Sequence, residues 1–104
     1  MDVADKLPSG WVVSHRSIRR WIKWLGQLDT LNAARIARKM ERLAAHGPDI
    51  GMPVVRQLGR GVCELRVDKY RMYFIVRPGR VIEFVRYGDK DTQRRDISEM
   101  QKEL

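Results

Sequence analysis

Cysteine and histidine are scarce in this sequence, and their scarcity removes several kinds of chemistry at the outset. The single cysteine, Cys63, cannot form an internal disulfide, and nothing else indicates an oxidising compartment. It lies in an apolar run, where a cysteine is typical as a small buried side chain. The two histidines, His15 and His46, lie too far apart in sequence for a ligand pair at helical or knuckle spacing. We therefore predict no metal site.

Long apolar runs are absent as well. No stretch approaches the roughly 20 apolar residues that a membrane-spanning helix needs, and the polar residues 1–10 lack the apolar core of a signal peptide. This predicts a soluble, cytoplasmic protein without a membrane partner. Residues 1–10 have no periodicity and end in Pro, Ser and Gly, which indicates a loose leader before a single domain over residues 11–104.

Motifs for nucleotide binding and nucleophilic catalysis are also missing. The turn at residues 59–61 does not have the P-loop pattern, so we predict no phosphate-cradling loop and no cofactor. A serine or cysteine triad needs a convergent histidine, and we expect neither histidine near the strands predicted over residues 62–87. Glu64 and Glu83 show no sign of the environment that a catalytic carboxylate pair requires.

Positive charge is what the chain has in excess. Its 21 basic and 13 acidic residues leave a formal charge of +8. The excess is spread evenly, with nine basic against five acidic residues in positions 1–50 and twelve against eight in positions 51–104. A folded body with this charge attracts phosphate backbones or an acidic protein partner, and charge alone does not choose between them.

Three runs rich in β-branched and aromatic residues predict an antiparallel meander over residues 62–67, 70–76 and 81–87, because the joints between them are short enough for hairpins. On the second strand, Arg71 and Tyr73 alternate with the apolar Met72 and Phe74. Charged side chains on such strands cost energy unless their face is open to water or to an anion. This face is therefore either a solvated surface or a basic, aromatic-lined surface for a polyanion. The arginines concerned are Arg66, Arg71 and Arg86.

Helical periodicity appears before and after the meander. The first predicted helix carries an apolar stripe with Trp24 at its margin, and the second spans residues 31–46 with a cap at Asp29 or Thr30. A last helix follows the capping residues Asp91 and Thr92 and extends to Leu104. The stripe of the first helix consists of Ile18, Trp21, Ile22, Leu25 and Leu28.

These elements, with short strands at residues 11–13 and 54–58, predict the order β-α-α-β-β-β-β-α. The fold class is α+β, with a twisted, mainly antiparallel sheet and a short C-terminal helix. We expect the N-terminal helical hairpin on one face of the sheet and the basic surface on the other. The second helix also has a basic arc, which we interpret as a solvated face, formed by Arg35, Arg38, Lys39 and Arg42.

Chemistry on phosphate fits the remaining residue types. Guanidinium groups stabilise a pentavalent phosphorus transition state through bidentate hydrogen bonds. A lysine or tyrosine acts as acid or base when its pKa is drawn toward neutrality, which clustered positive charge favours. RNA supplies its own nucleophile, the 2′-hydroxyl. A nuclease of this type needs neither a metal nor a histidine.

Four short motifs, in order, resemble the RelE/HigB toxin superfamily and in particular its phage-derived addiction module killer branch. They are residues 58–61 (LGRG), 64–66 (ELR), 70–74 (YRMYF) and 88–93 (GDKDTQ), and the likeness extends over residues 11–104. The resemblance implies a RelE-like toxin of a type II toxin–antitoxin pair that cleaves mRNA, usually on the ribosome, and so inhibits translation. It also implies an antitoxin partner, typically with a helix-turn-helix domain, through which alone DNA would be contacted.

The resemblance also assigns site residues. Arg71 matches the phosphate-binding arginine of the family, Arg66 matches the arginine of the ELR motif, and Lys90 matches a basic residue after the last strand. Two features depart from the family archetype. Glu64 stands where the archetype has a catalytic lysine, and no tyrosine follows Lys90. The candidates for the general acid and base, chosen by position, are Tyr73, Tyr87 and Lys90.

The leading hypothesis is thus a metal-independent endoribonuclease toxin that needs no cofactor. The alternative is a non-catalytic basic module of the same fold that binds RNA or protein, and the glutamate at position 64 favours it. A DNA-binding regulator is disfavoured, because the faces of the helical hairpin are committed to packing and no recognition helix is evident.

Overall fold

The computed structural model describes residues 10–50 and 55–103. Its element order and α+β class confirm the sequence-based prediction. Residues 1–9 of the expected leader, Val54 at the start of the predicted fourth-strand run and the C-terminal Leu104 lie outside the described residues. In chain order the elements are β1 (Val12–His15), α1 (Ile18–Gly26), α2 (Thr30–His46), a 3₁₀ turn (Pro48–Ile50), β2 (Val55–Gly59), β3 (Val62–Val67), β4 (Tyr70–Arg77), β5 (Val81–Asp89) and α3 (Gln93–Glu103).

The five strands form one sheet in the order β1-β5-β4-β3-β2. Strands β2 to β5 make an antiparallel meander, and β1 pairs with β5 in parallel. The bounds of β3 are those predicted, whereas β4 and β5 extend one and two residues further, to Arg77 and Asp89. The mainly antiparallel sheet is therefore confirmed. The parallel pairing of β1 with β5 places α1 and α2, which follow β1, on one face of the sheet.

The main core lies between the sheet and the N-terminal helices. Ser17 caps α1 by accepting a hydrogen bond from the Arg20 amide, and Asp29 caps α2 by accepting one from the Asn32 amide. Each large side chain buried here contributes about 1.5–3 kcal/mol. From α2 and the sheet, the core includes Ile36, Met40, Leu43, Leu65, Met72, Phe74, Ile82 and Phe84.

The predicted apolar stripe of α1 is wrong for two of its members. Ile18 is 58% exposed and Ile22 is 62% exposed, while Trp24, expected at the margin, packs against the core. The helix is turned so that its two indoles lie on Tyr87, with ring centroids 5.1 Å away for Trp21 and 5.4 Å away for Trp24. The large aromatic area gained by this contact outweighs the burial of two isoleucines.

The opposite face of the sheet is not the open basic surface that we expected. The helix α3 covers most of it and forms a second, smaller core around Val62, Tyr73 and Met100. A β-bulge in β5 shifts the register under this helix: Tyr73 pairs with Arg86 and Phe74 with Phe84, so that one residue of β5 is left over. That residue, Val85, packs against the second core.

A polar network attaches α3 to the sheet. Asp96, which is almost fully buried, accepts hydrogen bonds from Arg86 Nε and from Thr92 Oγ1, each at 2.7 Å. Arg86 also donates to Glu99. Asp89 Oδ1 accepts from the amide of Thr92 at 3.1 Å and so shapes the turn before the helix. The GDKDTQ motif is thus a structural connection between β5 and α3.

Gly88 is required for this network, which gives a first prediction. A β-carbon at position 88 would collide with the carboxylate of Asp96 and would lie 2.5 Å from Thr92 Oγ1. Both atoms are held by the network, so Gly88→Ala should destabilise the fold by about 1–3 kcal/mol. Gly26→Ala is the matched control, because nothing lies within 4 Å of its β-carbon. It should be neutral or stabilise α1 by up to about 1 kcal/mol. Urea unfolding of both variants measures this, and equal effects would contradict the packing argument.

Candidate functional site

Two arginines face each other at one end of the meander. Arg66 on β3 pairs in register with Arg71 on β4, next to the tight turn in which Asp68 adopts a positive φ of 55°. Like charges directly opposite on paired strands repel each other. Each guanidinium is therefore held by acceptors: Arg66 Nε donates to Glu64 Oε1 at 2.7 Å, and Arg71 Nη1 donates to the carbonyl oxygens of Asp68 and Tyr70 at 2.7 and 2.9 Å.

Glu64 is the least expected member of this group. It is fully buried, and its second carboxylate oxygen, Oε2, accepts a hydrogen bond of 2.6 Å from Nε2 of Gln93, the first residue of α3. Both of its oxygens are therefore occupied, and neither contacts solvent. The carboxylate of Glu64 thus holds Arg66 and anchors α3. It is not placed to exchange protons with a substrate.

A cleft of about 570 Å³ opens beside the two arginines. Its other wall belongs to α2, and the cations of that wall are three of the four that we interpreted as a solvated face, Arg35, Arg38 and Lys39. Their spacing along the helix put them on one side, but only the packing of α2 on the sheet shows which strands they face. Val67 and Asp68 complete the lining.

The electrostatics of the cleft strongly favour an anion. Five cations line it against one carboxylate, that of Asp68. The ion pair that Asp68 forms with Arg35 is long, at 3.8 Å, and lies between half-exposed side chains, so it offsets little of the positive charge. Guanidinium groups bind phosphate oxygens bidentately, and a groove lined by one sign of charge concentrates its counter-ions. The arrangement can therefore bind phosphate groups.

Lys90 lies at the same end of the sheet as the cleft but does not line it. Its amide donates to the carbonyl oxygen of Lys69 at 2.8 Å, so that the turn after β5 sits beside the turn between β3 and β4. Its side chain is exposed. Lys69 Nζ lies 5.5 Å from the ring centroid of Tyr70 in the same region. The two lysines extend the positive surface next to the cleft.

Tyr73 shares a sheet face with Arg71 but is fully buried beneath α3. Its hydroxyl has no hydrogen-bond partner among the described residues, and neither has Nε of Arg71. Burial raises the pKa of Tyr73, and the nearby carboxylates of Glu64 and Asp96 raise it further. The phenol is therefore neutral at pH 7 and is separated from solvent by the second core.

Tyr87 lies on the other face of the sheet, among the aromatic side chains of the main core. Its hydroxyl is 2.5 Å from Nδ1 of His15, and burial raises the pKa of Tyr87 while it lowers that of His15. The expectation that no histidine lies near the meander is thus wrong, because the ring of His15 lies 5.6 Å from that of Phe84 on β5 and stacks on Trp21 at 4.4 Å. The parallel pairing of β1 with β5 brings it there.

The described residues meet neither the requirements of a metal site nor those of a membrane-spanning helix. Within residues 10–50 and 55–103, no group of three or more His, Cys, Asp or Glu side chains is arranged to hold a metal ion. No helix in the same part of the chain has the length and apolar character needed to cross a membrane.

The fold and the cleft define a small basic α+β protein with a cation-lined cleft at one end of its sheet. A model of the phage-derived Gp49-like proteins matches residues 23–103, which include every side chain of the cleft. The chain belongs to this family, which is associated with toxin–antitoxin systems and so implies an antitoxin partner. A comparison with curated proteins found no match.

The buried hydroxyl of Tyr73 yields a second prediction. Removing an unpaired buried hydroxyl eliminates a desolvation cost, so Tyr73→Phe should leave the free energy of unfolding unchanged or raise it by about 1 kcal/mol. Tyr87→Phe is the control, because it removes a hydroxyl that is bonded to His15. It should lower stability by about 1 kcal/mol. Chemical denaturation of both variants is the measurement, and a marked loss of stability in Tyr73→Phe would show that its hydroxyl has a partner.

Proposed function

We propose that the chain is the toxin of a toxin–antitoxin pair, of the RelE/HigB type, and that it cleaves mRNA without a metal and in association with the ribosome. The observation that carries this proposal is the cleft in which Arg66 and Arg71, opposed in register, stand against three cations of α2. The family's association with toxin–antitoxin systems supports the toxin role.

In this proposal the RNA supplies the nucleophile. The 2′-oxygen attacks the adjacent phosphorus, the bond from phosphorus to the 5′-oxygen breaks, and the products are a 2′,3′-cyclic phosphate and a 5′-hydroxyl. Arg66 and Arg71 stabilise the charge that develops on the non-bridging oxygens. The cations of α2, namely Arg35, Arg38 and Lys39, bind the neighbouring phosphates and set the path of the strand.

Proton transfer requires a base for the 2′-hydroxyl and an acid for the leaving 5′-oxygen. Of the candidates chosen from the sequence, Tyr73 is buried and Tyr87 is bonded to His15 on the other face, so we assign neither to the reaction. Lys39 lines the cleft, and Lys90, the remaining candidate from the sequence, lies at the adjoining turn. We propose these two for the proton transfers.

A non-catalytic binding module is the second candidate, and a specific observation favours it. The carboxylate of Glu64, at the position where the resemblance has a catalytic lysine, is buried with both oxygens hydrogen-bonded. In this case the same cleft would bind RNA through its phosphates and leave the chain intact. The two candidates share the phosphate site and differ only in proton transfer.

Arg71 provides the third prediction. If it stabilises the transition state, Arg71→Ala should lower the RNA cleavage rate on the order of 10²–10³-fold. It should also abolish growth arrest when the chain is expressed alone in a bacterium. Arg71→Lys should fail nearly as badly, because an ammonium group does not reproduce the bidentate fork. Arg77→Ala is the control: it is half-exposed at the far end of the same strand, where it pairs with Glu83 at 3.6 Å.

Thermal melts of these variants separate function from folding. Arg71 is partly exposed, so Arg71→Ala should melt within a few degrees of the wild type. A folded Arg71→Ala variant with full toxicity would refute the site assignment. An unfolded variant would show that the hydrogen bonds of Arg71 to Asp68 and Tyr70 are structural.

The products of the reaction give the fourth prediction. Cleavage should leave 2′,3′-cyclic phosphate or 3′-phosphate ends, because the 2′-hydroxyl is the nucleophile, and any cleavage of ribosome-free RNA should persist in excess EDTA. Products with 5′-phosphate ends, or a cleavage of ribosome-free RNA that is lost on chelation and restored by a divalent ion, would overturn this mechanism. If the wild-type chain binds RNA but cleaves none, on or off the ribosome, the result would favour the non-catalytic module.

A further inference from the structure

The helix α1 exposes to solvent two apolar side chains, Ile18 and Ile22, which its helical spacing predicted to be buried. None of its nine residues is buried. Ile18 and Ile22, four residues apart, lie next to each other on its outer side. Leu31, in the first turn of α2, is exposed as well. Of the five large hydrophobic side chains that are exposed in the described parts of the chain, only Val76 lies outside residues 12–31.

The charges around these isoleucines are positive and unpaired. Arg19 and Lys23 directly follow Ile18 and Ile22, and Arg20 adds a third cation. Among the described residues, none of the three forms an ion pair. The first turn of α1 contains no acidic residue. Cations in the first turn of a helix are disfavoured by the helix dipole, so α1 begins with a charge arrangement that an external anionic group would improve.

We propose that this surface binds the antitoxin through an acidic amphipathic helix. We call it the α1 ridge, made of Ile18, Arg19, Ile22 and Lys23. The partner is named on the basis of the proposed toxin function and of the family's association with toxin–antitoxin systems. Apolar residues at a spacing of four match the ridge of a second helix, and acidic residues beside them match the two cations.

No residue of the α1 ridge lines the phosphate-binding cleft, so the two surfaces are separate. Antitoxin binding and RNA cleavage should therefore respond to different substitutions. A toxin with an altered ridge should still arrest growth, but its antitoxin should no longer neutralise it. A toxin with an altered cleft should lose activity and still bind the antitoxin.

The apolar half of the proposal is tested with Ile18→Ser/Ile22→Ser. The probe is the product of the reading frame next to this gene, purified and titrated against the full-length chain. Affinity should fall on the order of 10²-fold, because two side chains at the centre of the contact are lost. Val76→Ser, which truncates an exposed hydrophobic residue outside the ridge, should change affinity less than about twofold.

The charged half is tested with Arg19→Glu/Lys23→Glu. The association rate should fall about tenfold at low salt and lose most of its dependence on ionic strength. Arg94→Glu/Lys102→Glu makes the same change of charge on exposed residues of α3 and is the matched control. Its association rate should keep the steep salt dependence of the wild type.

Two outcomes would overturn the proposal. One is an unchanged affinity for the antitoxin in Ile18→Ser/Ile22→Ser. The other is a self-association of the chain alone that this variant abolishes while the affinity for the antitoxin stays unchanged, which would assign the ridge to another copy of the chain. Because binding is measured without RNA, a failure of the proposed ribonuclease activity would leave the result interpretable: loss of complex in the ridge variant would still support the docking surface.

Discussion

The buried carboxylate of Glu64 is the interaction on which the site depends. A carboxylate taken out of water costs several kcal/mol unless hydrogen bonds and opposite charge compensate it. Here the compensation comes from Arg66 at 2.7 Å and Gln93 at 2.6 Å. Removing one partner of such a buried group typically costs about 3–5 kcal/mol. One side chain thereby connects the orientation of a cleft arginine with the attachment of α3 to the sheet.

The attachment of α3 also decides which arginines of the sheet remain available. Arg86 lies under the helix and is bound by Asp96 and Glu99, so its charge is used within the fold. Arg66 and Arg71 lie beyond the helix, at the end of the meander next to the turn, and remain partly exposed. Three arginines on strands of similar composition thus have two different roles, and the position of α3 separates them.

How far the sequence could predict a feature of this protein depends on whether local pattern or tertiary contacts determine that feature. Alternation and turn residues were sufficient for β3, whose bounds are those predicted. They were insufficient for α1, because the predicted stripe included Ile18 and Ile22 and left Trp24 at its margin. Only the contact of the indoles with Tyr87 shows which side of the helix faces the core. The burial of Tyr73 depends on where α3 docks. Met100 and Ile97 pack there, but the ion pair of Asp96 with Arg86 fixes the position, and helical spacing alone does not show it. The pairing of Arg66 with Arg71 can be predicted from the register of the hairpin. The cations of α2 lie beside these two arginines only because of tertiary packing, which the sequence pattern does not show.

The cleft holds more positive charge than its carboxylate partners offset. Of its five cations, Arg66 is paired with the buried Glu64, and the half-exposed pair of Arg35 with Asp68 compensates little of the remaining charge. Since Arg66 and Arg71 are held by protein acceptors, they lose little side-chain freedom when an anion binds. Donors placed in advance stabilise a phosphate most strongly when its negative charge increases, as it does in a transition state. The same geometry would thus suit either a binding module or a ribonuclease. The two differ in whether a group for proton transfer is present, and Lys39 is a side chain in the cleft that we propose for this role.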